Sequence, residues 1–346
     1  MTGRERVVRT LLLQNPDRVP RNLWRLPGVD MFRERDVIEV LQSYPEDIIM
    51  LKDSSFFTWG KKVSGVRYRK DETAVDEWGC EWRAAEDGVV GEVKKPLLTD
   101  ISEVKKLQPP YDVLETIDER EVNRLCKDTD LFVIAWTTVR PFERMQFLLG
   151  PEELYPELLY GSKYLYRLMK SLHDFFLAEL RLWCSTDVDA VSFMDDWGSQ
   201  NSMLVSPELW RRLFRPLYRE YCELIHAAGK HVFFHSDGFI EPIFPDLIEI
   251  GVDAVNSQLF CMNIEDLGRK YKGRITFWGE IDRQRILPFG TKQQVSDAIR
   301  RVKNALWNPE GGVIAQCEFG LQDPPDNIKT VFETWEEITR THHALD

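Results

Sequence analysis

A single (β/α)8 barrel is the fold this sequence predicts, and three observations predict it. Short apolar segments recur eight times, helical periodicity fills most of the gaps between them, and four of the apolar segments end abruptly in ionisable residues. The most telling is His231-Val-Phe-Phe-His-Ser-Asp-Gly238, an apolar strand that runs straight into His235, Asp237 and a turn glycine. A buried strand followed at once by polar groups is how such a barrel presents chemistry at the carboxyl ends of its strands.

Taken in order, an amphipathic helix over residues 3–14 opens the chain. The strand segments are Val19 to Trp24, Asp47 to Leu51, Leu131 to Thr137, Asp189 to Asp195, His231 to His235, Ala254 to Gln258, Thr276 to Glu280 and Gly312 to Cys317. Helical periodicity covers 143–149, 161–183, 207–228, 240–250, 264–271, 292–306 and 325–338. Ser206-Pro207-Glu208 offers an N-cap with proline at the first helical position, and Gly229 follows the last apolar turn. An open doubly wound sheet is the alternative, and no glycine-rich dinucleotide fingerprint supports it. Residues 58–98 break the rhythm. Val63 to Arg69, Glu77 to Arg83 and Val89 to Val93 are β-prone pieces separated by acidic or glycine turns, which predicts an antiparallel β excursion after the second barrel strand.

Composition bounds the rest. With 346 residues, 43% of them hydrophobic, and 11 Trp, one barrel domain can take up residues 1–346. The formal charge of -12 without a long basic run argues against nucleic acid as a partner and for a small molecule or another protein. The six cysteines are scattered with no CxxC pair, which predicts reduced thiols. Met1-Thr-Gly-Arg-Glu-Arg has no signal-like apolar core and no apolar run spans a bilayer, so a cytoplasmic location without a membrane role is expected.

Four strand ends carry candidate chemistry. His235 and Asp237, two residues apart on a strand, face the same side and form an acid/base or ligand pair. Asp195 and Asp196 point to opposite faces, so one is expected to enter the barrel and the other to cap a helix or bind a loop. Glu280 and Asp282 share a face, with an ion pair from Arg283 or Arg285 to Asp282 equally open, and Cys317-Glu318 ends the last strand. Trp24, Trp78, Trp136, Trp197 and Trp278 follow or end strand segments, and an aromatic rim or a core role are both open to them. His173 and His226 lie inside helices and read as structural.

The order of landmarks resembles the uroporphyrinogen decarboxylase superfamily over nearly the whole chain. They are Arg18-Val-Pro20, Asp76-Glu-Trp-Gly79, Phe142-Glu143 with Leu149-Gly150, Met194-Asp-Asp-Trp-Gly-Ser199, Ser206-Pro207, His235-Ser-Asp-Gly238, Gly279-Glu-Ile-Asp282 and Pro325-Asp-Asn-Ile328. The resemblance implies a (β/α)8 barrel and one of two chemistries. True decarboxylases of the superfamily carry an Arg-Gln-Ala-Gly-Arg-Tyr motif after the first strand. Here Arg21-Asn-Leu-Trp-Arg25-Leu-Pro-Gly stands instead, which has two arginines four apart but lacks the motif whose arginines meet a polycarboxylate, and this argues against true uroporphyrinogen decarboxylation.

The resemblance is closer to the corrinoid-dependent methyltransferases, whose zinc is held by His-x-Cys and a further Cys on the last strand. His235 and Cys317 fall on two of these positions and Asp237 on the third. The resemblance therefore implies zinc on His235, Asp237 and Cys317, with Asp196 or Glu280 completing it, and Arg25, Trp24, Trp78, Trp136 and Trp197 contacting substrate. The superfamily's strand-end carboxylate falls on Asp196, which implies that Asp196 enters the barrel and Asp195 does not. Fewer thiolates favour an oxygen donor over a soft thiol. The activity implied is methyl transfer between a small, for instance methoxylated, methyl donor or acceptor and a cobalamin held on a separate corrinoid protein. No Asp-x-His-x-x-Gly run places a corrinoid domain in this chain. A homodimer is a family expectation. Two other classes stay open: a metal-free lyase that decarboxylates a small carboxylate through Asp196 and His235 with Arg21 or Arg25 as anion clamp, and a non-catalytic ligand-binding barrel.

Overall fold

The computed structural model of the chain describes residues 1–51, 60–279 and 281–343. Eight parallel strands form the centre: β1 (Arg21–Arg25), β2 (Ile48–Leu51) and, after an excursion, β7 (Phe132–Trp136), β8 (Ala190–Met194), β9 (His231–Ser236), β10 (Ala254–Ser257), β11 (Thr276–Trp278) and β12 (Val313–Phe319). The excursion is a separate antiparallel sheet of β3 (Ser64–Gly65), β4 (Thr73–Val75), β5 (Glu81–Arg83) and β6 (Glu92–Lys95). From β2 to β12 each barrel strand pairs with the next barrel strand in the chain, and β12 pairs with β1, so the expected barrel is present and nearly closed.

The strands read as almost continuous apolar runs because both faces are buried. Ile48, Phe132, Ile134, Ala190, Phe233, Ala254, Trp278 and Ile314 fill the interior, while Val133, Val191, Phe193, Val232, Phe234, Val255 and Phe277 pack outward among the helices. The helix Gly3–Leu11 plugs the amino-terminal end, sending Val7 into the interior cluster. Its Thr2-x-x-Glu5 capping box satisfies the first turn. The segment expected as one helix over 207–228 is two, Pro207–Leu213 and Arg215–Ala227, because Pro216 has no N–H to continue the ladder.

Between β1 and β2 no ladder forms among the described residues. Side chains bridge the seam instead. Asp47 Oδ2 accepts the Arg21 N–H at 2.8 Å, the Asp47 N–H returns to the Arg21 carbonyl at 2.9 Å, and Glu46 Oε1 accepts the Leu23 N–H at 2.8 Å. Arg6 and Arg18 both bind the Asp47 carboxylate, which offsets the cost of burying it.

The excursion is pinned to the barrel from one residue. Asp76 Oδ1 accepts the N–H groups of Trp78, Gly79 and Cys80, while Oδ2 takes the Trp82 indole and Arg144 Nη1 at 2.7 Å. Thr73–Val75 is the strand missed by sequence reasoning: three residues between charged turns give too short an alternation to register.

One pH-dependent contribution lies at the opposite end from the mouth. The Asp253 carboxylate 2.9 Å from His226 Nε2 raises the imidazole above its ordinary range. A raised folded value adds stability that is complete below about pH 6.5 and is lost as pH rises through the folded value. The pair is partly exposed, so the contribution stays below about 1 kcal/mol. Unfolding free energies of wild type minus His226→Gln are expected to be largest in mild acid and to shrink towards alkaline pH; a difference that grows with pH contradicts this.

Candidate metal centre

At the carboxyl end of the barrel, β8 and β9 run into the two loops that carry the candidate residues. Alternation on β8 sends Asp195 outward and Asp196 inward. Asp195 caps the helix Pro141–Leu149, accepting the Phe142 and Glu143 N–H groups at 2.8 Å each, and takes the Tyr218 hydroxyl. Burial raises the Asp195 carboxyl to about 7. Asp196 instead meets His235 and Asp237, and one ligand atom from each of the three lies within 4.8 Å of the others.

The loops are locked together where Gly198 and Gly238 cross. A Cβ on Gly238 would sit 2.2 Å from the Gly198 carbonyl oxygen, and Gly238 has a φ of +78°. Only glycine tolerates both the contact and the conformation. The Gly198 N–H donates to the Asp237 carbonyl at 3.0 Å and the Asp237 N–H to Asp196 Oδ1 at 2.9 Å. Backbone contacts thus set the spacing of the two carboxylates.

The tautomer of His235 follows from its neighbours. Asn256 Nδ2 donates to the Trp278 carbonyl and to Gln316 Oε1, so its Oδ1 must be the acceptor facing His235 Nδ1 at 2.7 Å. The imidazole therefore donates through Nδ1 and, when neutral, presents the Nε2 lone pair to Asp196 Oδ1 and Asp237 Oδ1, each 3.6 Å away. A histidine whose far nitrogen is held by an amide oxygen is the usual support of a metal ligand. Asp237 Oδ1 is buried without a hydrogen-bond partner among the described residues, while its Oδ2 is held by Arg283. One imidazole and two carboxylates are a hard donor set that fits a divalent cation.

The structure does not bring Cys317 to this cluster. Leu23 of β1 pairs with Cys317 in register, and both face outward into the core between barrel and helices; Gln316 and Glu318 are the inward residues of β12. The strand period that separates Cys317 from Glu318 is the reason. Asp196 takes the third place instead. Glu280 lies outside the described residues.

Among the expected substrate contacts, Trp24 and Trp136 do lie inside the barrel. Trp24 packs on His235, Trp136 and Trp278 with ring centroids 5.1, 5.2 and 5.0 Å away, and with Trp278 it donates to Asn22 Oδ1. Trp78 and Trp197 lie elsewhere. Trp78 is buried under the excursion against Phe175 and Arg144, and Trp197 stacks on Phe142 at 4.3 Å with its indole on the Tyr218 hydroxyl. Arg25 pairs with Asp30 and Arg21 with Glu336, on the face opposite Trp24, so neither reaches the triad. Asp282 pairs with neither arginine; its Oδ1 caps the Gln284 and Arg285 N–H groups, and Arg283 spans Asp237 and Glu318.

Sequence reasoning gives no site role to Asn256 or Glu143 and weighs Arg283 only as a partner of Asp282, whereas Arg283 binds Asp237 and Glu318. Asn256 was findable as a polar residue ending an apolar strand. Glu143 has a buried Oε2 with no partner among the described residues and an Oε1 3.9 Å from Arg140; burial first and the Asp196 charge second push its carboxyl above the usual carboxylate range.

No helix among the described residues is long and apolar enough to cross a membrane. No curated protein matches the chain. Among solved structures, a methyltransferase from Methanosarcina mazei is similar with a TM-score of 0.72 and 13% identity, over 98% of this chain and 99% of that one. Xylanase 10B from Thermotoga maritima superposes with a TM-score of 0.49 and 9% identity, over 99% of this chain and 100% of that one. At such identities the likeness concerns the fold. Residues 73–338 match the uroporphyrinogen decarboxylase (URO-D) family, a stretch that takes in β4 to β6 of the excursion, the triad and the barrel strands from β7 to β12, and the chain belongs to that family.

Proposed function

We propose that the chain, acting as one domain, is a metal-assisted methyltransferase that moves a methyl group between a small oxygen-linked donor and cobalamin on a separate corrinoid protein. One observation carries this reading: the Nε2 lone pair of His235, oriented by Asn256, converges with Asp196 and Asp237 at the barrel mouth. The similar fold of a Methanosarcina mazei methyltransferase supports it.

His235, Asp196 and Asp237 would hold a divalent cation, zinc by the family pattern, whose chemistry here is Lewis-acid polarisation of the donor oxygen. Arg283 fixes the Asp237 carboxylate by its second oxygen, and Asn256 fixes the imidazole. Trp24, Trp136 and Trp278 close the barrel beneath the triad and keep water from below. In the demethylating direction the C–O bond would break with its electron pair left on the donor oxygen, which would then need a proton; cob(I)alamin, as co-substrate on the partner protein, would supply the electron pair that takes the methyl group. Glu143, whose carboxyl burial raises above the usual carboxylate range, would supply that proton. The reverse direction uses the same arrangement.

The lyase reading loses its anion clamp, since Arg21 and Arg25 are committed to the outer face. The test is formation of methylcobalamin, followed by absorbance, from reduced cobalamin and a panel of methoxylated compounds. His235→Ala is expected to lower the rate at least about 100-fold. Carbon dioxide release without methylcobalamin instead assigns a lyase.

A further inference from the structure

One surface of the helix layer combines exposed apolar side chains with both signs of charge. In the helix Pro151–Tyr160, positions 152, 153, 156, 159 and 160 share a face, opposite buried Leu154 and Leu158. That face begins in Glu152 and Glu153 and ends in Leu159 and Tyr160. At 72% and 81% exposed, these last two are the most exposed large hydrophobic side chains among the described residues, which marks a contact surface. Gly161, at a φ of +66°, turns the chain into the helix Lys163–Ser185, and the Tyr166 hydroxyl lies 3.2 Å from where a Gly161 Cβ would stand. The first face therefore runs directly into a second, made of Lys163, Tyr166, Arg167 and Lys170 opposite buried Leu165, Leu168 and Met169.

The charges on this surface are sorted by sign, with the apolar side chains between them. Glu152, Glu153, Lys163 and Arg167 make no ion pair among the described residues; Lys163 lies over its neighbour Tyr164, and Lys170 turns to Asp174. The helix Lys163–Ser185 has no acid in its first turn, so its bases stand at the positive end of the macrodipole. That arrangement costs the isolated chain stability and is relieved by acids from outside. A matching surface must offer acids to the bases, bases to the acids and an apolar centre. Turned by a two-fold axis through Leu159 and Tyr160, the surface is its own complement.

We propose that this surface joins two copies of the chain about a two-fold axis, with Glu152 and Glu153 of each over Lys163 and Arg167 of the other and Leu159, Tyr160 and Tyr166 packed at the centre. Its nine residues are fewer than the roughly 20–30 a side of a standard interface, so the expected dissociation constant is micromolar. The contact is remote from the metal centre. Lys163 stands about 24 Å of helix before Glu179, which accepts the Thr138 N–H at 2.7 Å behind the end of β7. The contact is therefore independent of the reaction performed at the triad.

Sedimentation of the full chain across the micromolar range tests it. The double variants Glu152→Lys/Glu153→Lys and Lys163→Glu/Arg167→Glu are each expected to weaken self-association at least about tenfold, because each sets like charges opposite one another in both halves of the contact. Mixing the two is expected to restore a dimer with one copy of each, since the basic face of the first then meets the acidic face of the second. Tyr160→Ser is expected to weaken the wild-type dimer as much. All five positions are exposed, and Lys163→Glu adds an acid to a first turn that lacks one, so unfolding of that variant is expected at no lower denaturant than wild type. A wild type that stays monomeric, a dimer unmoved by both double variants, variants that remain monomeric when mixed, or an assembly that grows beyond a dimer overturns the proposal.

Discussion

Purified protein is expected to carry close to one equivalent of divalent metal, to lose it in His235→Ala, Asp196→Asn and Asp237→Asn, and to keep it in Cys317→Ser. The first three remove a converging donor atom, whereas Cys317 lies on the outward face of β12. Asn256→Ala is expected to weaken the metal about 10–100-fold without removing a ligand, the usual effect of losing the group that orients a histidine. Elemental analysis with competition against a chromophoric chelator reads all five variants. A Cys317→Ser protein that loses its metal, or an Asp196→Asn protein that holds it as tightly as wild type, means that the ligand set is wrong.

Arg144→Met is expected to cost about 3–5 kcal/mol of stability, the cost of leaving buried charge without its partner. The Arg144 guanidinium is 2.7 Å from Asp76 and 2.9 Å from Glu77, and all three residues are buried. Burial alone would raise the Asp76 carboxyl, yet Arg144 and the Trp82 indole overcome it and hold the group below its ordinary range. Lys170→Met breaks an exposed pair with Asp174 and is expected to cost less than about 1 kcal/mol. Denaturant unfolding of the two variants side by side gives the comparison, and equal losses contradict the buried role of Arg144.

How far the sequence could be read follows from the same strand period. All eight apolar segments are barrel strands, because parallel strands buried on both faces leave an unmistakable run. That only one of Asp195 and Asp196 enters the barrel was legible for the same reason; which of them does so came from the family's strand-end carboxylate position, and the helix cap made by Asp195 agrees with it. Cys317 went astray at this point: family spacing placed it at the mouth, while the register of β12 against β1 turns Glu318 there instead. Trp78 and Trp197 were ambiguous because a tryptophan after a strand can turn to the rim or to the helix layer, and contacts with Phe175 and Phe142 decide for the latter. Arg283 acts through Asp237 and Glu318, far away in sequence, which no local pattern announces, and although Asn256 stands out as a polar residue ending an apolar strand, its tie to His235 crosses between strands.

The seam bridged by Glu46 and Asp47 changes how the chain's ends relate to its architecture. Seven neighbouring pairs of barrel strands share backbone ladders, and β1 belongs to β12, some three hundred positions away in the chain, and not to the strand that follows it. The first strand thus belongs by its ladder to the far half of the barrel, a long-range pairing that cannot close before β12 is made, while the opening helix bonds the near half through the Asp130 carbonyl and Asp47. A circular permutant with its old ends joined and new ends cut just ahead of Glu46 would retain every ladder and convert this late, long-range closure into a local one.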